Sequence, residues 1–185
     1  MRVISGNSRG SKLFSLEGEN TRPTLDRVKE SLFNIIQNNI VDSNVLDLFA
    51  GSGALGIECL SRGASKVIFS DNSSDAINII NKNLEKTKLK SKSIVINKDY
   101  LKVLEELSNE KFDLIFLDPP YKTDYAIESL KIITSKKMLE ENGIIVLETD
   151  RQEEILKNIE NININIADIR KYGRVSLIFL NGRGK

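Results

Sequence analysis

From Val45 onward, short apolar runs recur with amphipathic stretches between them. The runs are VLDLF at 45–49, KVIFS at 66–70, SIVIN at 93–97, FDLIFL at 112–117 and GIIVLE at 143–148. Runs this short and this continuously apolar read as strands buried on both faces, and the intervening stretches predict helices. Helices are expected over 54–62, where Gly63 ends the pattern, and over 73–88, 100–108, 124–138 and about 151–158. Residues 162–169 alternate apolar and polar side chains, and VSLIFL at 175–180 follows a Tyr172-Gly173 turn, so this pair reads as a hairpin closing the sheet. Upstream, residues 2–5 and 12–16 predict two short strands around the turn Gly6–Gly10. Residues 24–38 place Leu25, Val28, Leu32 and Ile35 or Ile36 on one helical face. Strand–helix alternation predicts a doubly wound α/β fold with a mostly parallel sheet and an antiparallel last strand. One domain is expected, with a hairpin-and-helix extension over 1–40 and a core over 41–185.

Composition narrows the chemistry. The 185 residues are 40% hydrophobic and 29% charged, the balance of a soluble globular chain. No apolar run approaches the roughly 20 residues that span a bilayer, and the start lacks the apolar core of a signal peptide, so a cytoplasmic address without membrane contact is expected. One cysteine, Cys59, and no histidine exclude a disulfide framework, a Cys/His zinc site and histidine-based acid–base catalysis, and no metal is expected. Cys59 sits among Leu55, Ile57 and Leu60 and reads as core. The net charge of +1 says little about a polyanionic partner, but its distribution says more. Arg2, Arg9 and Lys12 near the start, and Arg170, Lys171, Arg174, Arg183 and Lys185 near the end, have no acid among them.

Two motifs carry the candidate chemistry. Asp47 to Gly56 reads DLFAGSGALG, with Gly51, Gly53 and Gly56 in a G-x-G-x-x-G turn between the first core strand and a helix. That turn alone fits NAD, FAD or S-adenosylmethionine. Asp47 separates them, because a carboxylate four residues before Gly51 repels a pyrophosphate and suits the ammonium of S-adenosylmethionine. Phe49, Ala50 and Ser52 complete the turn as candidate cofactor-lining residues. Asp71, followed by Asn72, ends the second strand where ribose hydroxyls need an acceptor. Asp99 ends the third, where it can accept from an adenine amine that Tyr100 flanks. For Asp71 and Asp99 the competing reading is helix capping.

The second motif, Asp118-Pro119-Pro120-Tyr121, directly follows the fourth strand and holds two of the three prolines. Adjacent prolines stiffen the loop and present carbonyl oxygens. An exocyclic base amine is a poor nucleophile, and two acceptors on its N–H bonds draw its lone pair out of the ring plane. Asp118 and the Pro119 carbonyl suit that task, and Tyr121 offers a ring for stacking. A sulfonium methyl needs alignment rather than a histidine base.

These motifs resemble the amino-methyltransferase branch of the class I, Rossmann-like methyltransferases with a seven-stranded sheet. Residues Arg2–Leu13, Thr21-Arg22-Pro23-Thr24 with Arg27–Asn34, and Tyr172-Gly173 with Val175–Leu180 are similar to the bacterial 16S ribosomal RNA guanine-N2 methyltransferases of RsmD type. The resemblance implies S-adenosylmethionine as cofactor and methylation of a guanine N2 in 16S rRNA, within an assembling small subunit, by a monomer. Where that family commonly carries a further basic residue, this chain has Ser11. Arg22 and Thr24, with Pro23, can hold the methionine carboxylate or an RNA phosphate, and Arg27 follows one turn on. The alternative is a plain helix start with a solvated face. Arg9, Lys12 and Arg174 are candidates to meet RNA, the last in a turn that equally suits solvent. The competing functions are a DNA adenine or cytosine amino-methyltransferase, an NAD-binding oxidoreductase, or a non-catalytic nucleotide-binding module. A 5-methylcytosine enzyme needs a nucleophilic cysteine, and Cys59 is wrongly placed for it.

Overall fold

The computed structural model describes residues 1–16, 23–120 and 123–182, with the backbone alone for 23–26. In chain order the elements are α1 (Pro23–Ile35), β1 (Asn44–Asp47), α2 (Ala54–Ser61), β2 (Lys66–Asp71), α3 (Ser74–Thr87), β3 (Ser93–Asn97) and α4 (Tyr100–Glu106). They continue with β4 (Phe112–Leu117), α5 (Tyr125–Ser135), β5 (Leu139–Thr149), α6 (Gln152–Ile159), β6 (Ile164–Tyr172) and β7 (Val175–Gly182). The seven strands lie in the order β3-β2-β1-β4-β5-β7-β6. β1 to β5 pair in parallel, whereas β7 runs antiparallel to both β5 and β6. The chain order reverses between β1 and β4, and at such a switch point the strand tips open a crevice for a ligand.

Each face of the sheet has its own apolar core. Leu32, Phe33 and Ile36 from the first helical segment pack with Ile57 and Leu60 of α2 and Ile80 and Leu84 of α3 on one face. Val103 and Leu104 of α4, Leu130 and Ile133 of α5, and Ile155 and Ile159 of α6 cover the other. The strands alternate between the two. Val45 joins the first core and Leu46 the second, and Asp47 returns to the α2 side. Gly56 lets α2 sit directly on β2, since a Cβ there would meet the Phe69 ring at 2.3 Å.

Several expected boundaries shift. The proposed N-terminal strands reduce to a single antiparallel bridge, Arg2 to Lys12. The backbone N–H groups of Ile4 and Ser5 instead donate to the Glu58 carboxylate of α2 at 2.8 and 2.9 Å, which removes them from any ladder. The helix expected over 24–38 stops at Ile35, and a 3-10 turn at Gln37–Asn39 follows. Ile36 is buried and Ile35 faces solvent, which decides between them. β5 begins at Leu139 rather than residue 143, because an irregularity between Phe112 and Leu114 lets Leu139 pair with Phe112. β6 runs to Tyr172, beyond the expected end at residue 169.

Candidate functional site

The glycine turn, the proline loop and three strand-tip acids lie along one edge of the sheet, the C-terminal ends of β1 to β4. Gly53 caps α2 with a left-handed φ of 77°, and Gly51 has φ 52°, so both take conformations that a side chain disfavours. The turn is tied down on three sides. The Ala50 N–H donates to the Ser70 carbonyl at 2.9 Å, the Gly51 N–H to Asp71 Oδ2 at 2.9 Å, and Asn83 Nδ2 to the Ser52 carbonyl at 2.9 Å.

The three acids have diverged in role. Asp47 is not an open acceptor at the rim. It is buried beneath the turn and accepts from the Gly56 N–H, in the first turn of α2, at 3.1 Å. Burial pushes its carboxyl up to about 7, the Gly56 N–H pulls it down, and nearby Asp71 adds to the rise. Asp71 accepts from Gly51 and from the Ser73 N–H, one bond to each oxygen. A carboxylate has about four acceptor positions, so it keeps capacity for hydroxyl donors. It does not cap the next helix, because Ser73 does, accepting from the Ala76 N–H. Asn72 beside it is exposed. Asp99 follows the capping reading: its carboxylate accepts from the Leu101 N–H at 2.9 Å at the start of α4.

From the sequence, Tyr100 is expected to flank an adenine ring. Its ring is buried, packed against Phe49 at 5.4 Å and Tyr125 at 4.6 Å between centroids, with its hydroxyl donating to Glu128. Burial and the Glu128 carboxylate push the pKa of its hydroxyl well above the usual tyrosine range. Phe49, only partly buried, stacks on Tyr125 at 6.4 Å. This aromatic group joins the glycine turn to the first residues of α4 and α5. Tyr125 and Glu128 were not singled out from the sequence, although both fall on one helical face directly after the proline loop.

Asp118 and Pro120 are exposed and Pro119 is buried at the tip of β4, next to β1. Tyr121 lies outside the described residues, as does Arg22, and the side chains of Pro23 and Thr24 are likewise outside them. The loop is held from its far end. Thr123 Oγ1 donates to the Pro120 carbonyl at 2.8 Å, and Arg151 Nη1 donates to the Thr123 carbonyl at 3.3 Å. Arg151, at the N-terminal end of α6, is itself held by Glu154. Neither Arg151 nor Thr123 carries a local pattern that marks it.

The basic candidates divide. Arg174 and Lys171 line an open concavity with Asp150, Arg151 and Glu153 beside the proline loop. Arg27 is exposed on α1. Arg9 and Lys12 are exposed; near Arg9 the Asn7 N–H donates to the carbonyl of Ser61, the last residue of α2, whereas two residues beyond Lys12 the Phe14 backbone pairs with Asn83, which also donates to Ser52 of the glycine turn. The eight residues of α2 span about 12 Å, so Arg9 stands well away from the glycine turn.

This sheet order, with a reversed seventh strand and a glycine turn at the switch point, defines the chain as a methyltransferase of the Rossmann-like class that uses S-adenosylmethionine. Residues 1–181 match the family model described as Conserved hypothetical protein 95, and the chain belongs to that family. Among its relatives, the putative rRNA methyltransferase YlbH of Bacillus subtilis is 40% identical over the whole of both chains. Ribosomal RNA small subunit methyltransferase D of Haemophilus influenzae is 40% identical over 84% of this chain and 82% of its own. The solved structure of the putative methyltransferase yhhF from Escherichia coli superposes with a TM-score of 0.85 at 28% identity, covering 100% of this chain and 99% of that one.

Proposed function

We propose that this chain transfers a methyl group to the exocyclic N2 amine of a guanine in small-subunit ribosomal RNA, acting as a single-domain monomer in the cytoplasm on an assembling subunit. The observation that carries the reading is Asp118-Pro119-Pro120 at the tip of β4, one strand from the glycine turn, with its acid exposed. The relatives support the substrate class, one being named a putative rRNA methyltransferase and the other a small-subunit rRNA methyltransferase.

The chain's residues suit the cofactor. Gly51 and Gly53 keep side chains out of the turn, and Asp71 retains lone pairs for ribose hydroxyls. S-adenosylmethionine, when bound, supplies an electrophilic methyl group. The rest falls to the protein. The Asp118 carboxylate and the Pro119 carbonyl accept the two amine N–H bonds and turn the nitrogen lone pair out of conjugation. The stiff loop holds the nitrogen in line, and the proton released after transfer leaves to water.

The reading is tested by incubating purified protein and deuteromethyl-labelled cofactor with small subunits from a strain lacking the enzyme, followed by nucleoside mass spectrometry. Labelled N2-methylguanosine at one site per subunit is expected. Label in another nucleoside, or transfer to DNA but not to subunits, overturns the substrate assignment.

A further inference from the structure

The end of β5 carries a carboxyl that the site described above does not use. Glu148 is the next-to-last residue of that strand and is partly buried. Burial pushes its carboxyl above the ordinary range, and no donor or cation among the described residues offsets this. A desolvated carboxyl without a donor is costly to keep.

Its position follows from strand register. Val146 joins the core beneath α1 to α3 and Leu147 the opposite core, so alternation turns Glu148 back to the α1 side. Asp47 lies on that same side. Leu117 of β4 pairs with Leu147 of β5, so Asp118 and Glu148 continue their strands one step further. Neighbouring strands are about 4.8 Å apart, which sets the two carboxyls side by side at the rim. On its other flank Glu148 faces Leu177, which is buried and apolar. Among the described residues none donates to Glu148, so its carboxyl is placed to accept from the molecule that Asp118 holds.

The chemistry of the amine-bearing bases says which molecule this is. Guanine carries a ring N1–H directly beside its 2-amine. Adenine and cytosine carry a bare ring nitrogen beside theirs, whose lone pair repels a carboxylate. We propose that Glu148 accepts the N1–H of the target guanine while Asp118 holds its 2-amine, making Glu148 the residue that selects guanine. This inference rests on the exocyclic-amine reading above. It assigns the ring N–H to one carboxyl and the reacting amine to the other, with the bases that lack the N–H rejected electrostatically.

The test uses small subunits reconstituted with either guanosine or 2-aminopurine ribonucleoside at the modified position. The analogue keeps the 2-amine and lacks N1–H. The wild-type protein is expected to prefer guanosine in kcat/KM by roughly 10- to 100-fold, the value of one hydrogen bond to a charged group. Glu148→Gln, whose amide can donate as well as accept, is expected to shrink that preference to within about threefold. Its affinity for S-adenosylmethionine by calorimetry should stay near the wild-type value. If Glu148→Gln folds poorly, Glu148→Asp carries the same comparison, with an expected intermediate preference. Equal wild-type rates on the two substrates, or a variant that is slower with the guanosine preference intact, overturns the assignment. Absence of wild-type transfer to guanosine instead overturns the exocyclic-amine reading itself.

Discussion

Asp47 holds its proton to about 7 in the folded chain and loses it near 3.8 in a model peptide, chiefly because burial disfavours the charge. Between those values the unfolded chain has released a proton that the folded chain keeps. Folding stability therefore falls as pH rises through this window and levels off above about 7. Asp47→Asn removes that slope. Its melting temperature without ligand should exceed the wild-type value clearly at pH 8 and little at pH 4, checked by calorimetry at both. Asp118 is expected to behave differently, since it is exposed and is proposed to meet the acceptor amine. Asp118→Ala should lower kcat by on the order of 100-fold or more, as losing one aligned polar partner of a reacting group does. Cofactor affinity, read by calorimetry, should change far less. A parallel loss of both would merge roles that the geometry separates.

At the scale of elements, two clasps fix the rim. Glu58 of α2 is fully buried and accepts from Lys29 of α1 at 3.0 Å, from Arg62 Nε at 2.8 Å, and from the N–H groups of Ile4 and Ser5. Burial works to raise its carboxyl, but Lys29, the Ile4 N–H and Arg62 together hold it below the usual range. This one side chain fastens the N-terminal segment and α1 to the helix that follows the glycine turn. Glu58→Gln removes the charge that faces Lys29, and a cost of about 3–5 kcal/mol is expected from urea titration, as for other broken buried pairs. The second clasp runs from Arg151 through Thr123 to Pro120. Arg151→Ala should lower kcat several-fold in steady-state kinetics while leaving cofactor binding and the melting temperature nearly unchanged. The same kcat in the variant would mean that the proline loop needs no outside support.

At the scale of the whole molecule, the sheet was legible because a parallel strand must be apolar on both faces, and each of the runs beginning at Val45, Lys66, Ser93, Phe112 and Gly143 became part of a strand. The glycine turn and the proline loop were legible because their residue types leave few backbone choices. What stayed hidden depends on partners distant in sequence. Residues 2–5 read as a short strand, yet a carboxylate more than fifty positions away takes the N–H groups of Ile4 and Ser5. Asp71 and Asp99 look alike in sequence, each at a strand end before a helix. Only the competing cap at Ser73 and the approach of Gly51 set Asp71 apart. Tyr100 fell in the core because Phe49 and Tyr125 close over it. Glu148 gave no local sign, since its meaning comes from the register of β4 on β5.

The assembled rim stands or falls with where the cofactor lies. A crystal structure with S-adenosylhomocysteine is the most direct measurement. The account predicts the ligand across the tips of β1, β2 and β4, its ribose on Asp71 and its sulfur turned toward Asp118 and the Pro119 carbonyl. A ligand bound away from the glycine turn, or one whose sulfur faces away from the proline loop, would contradict it.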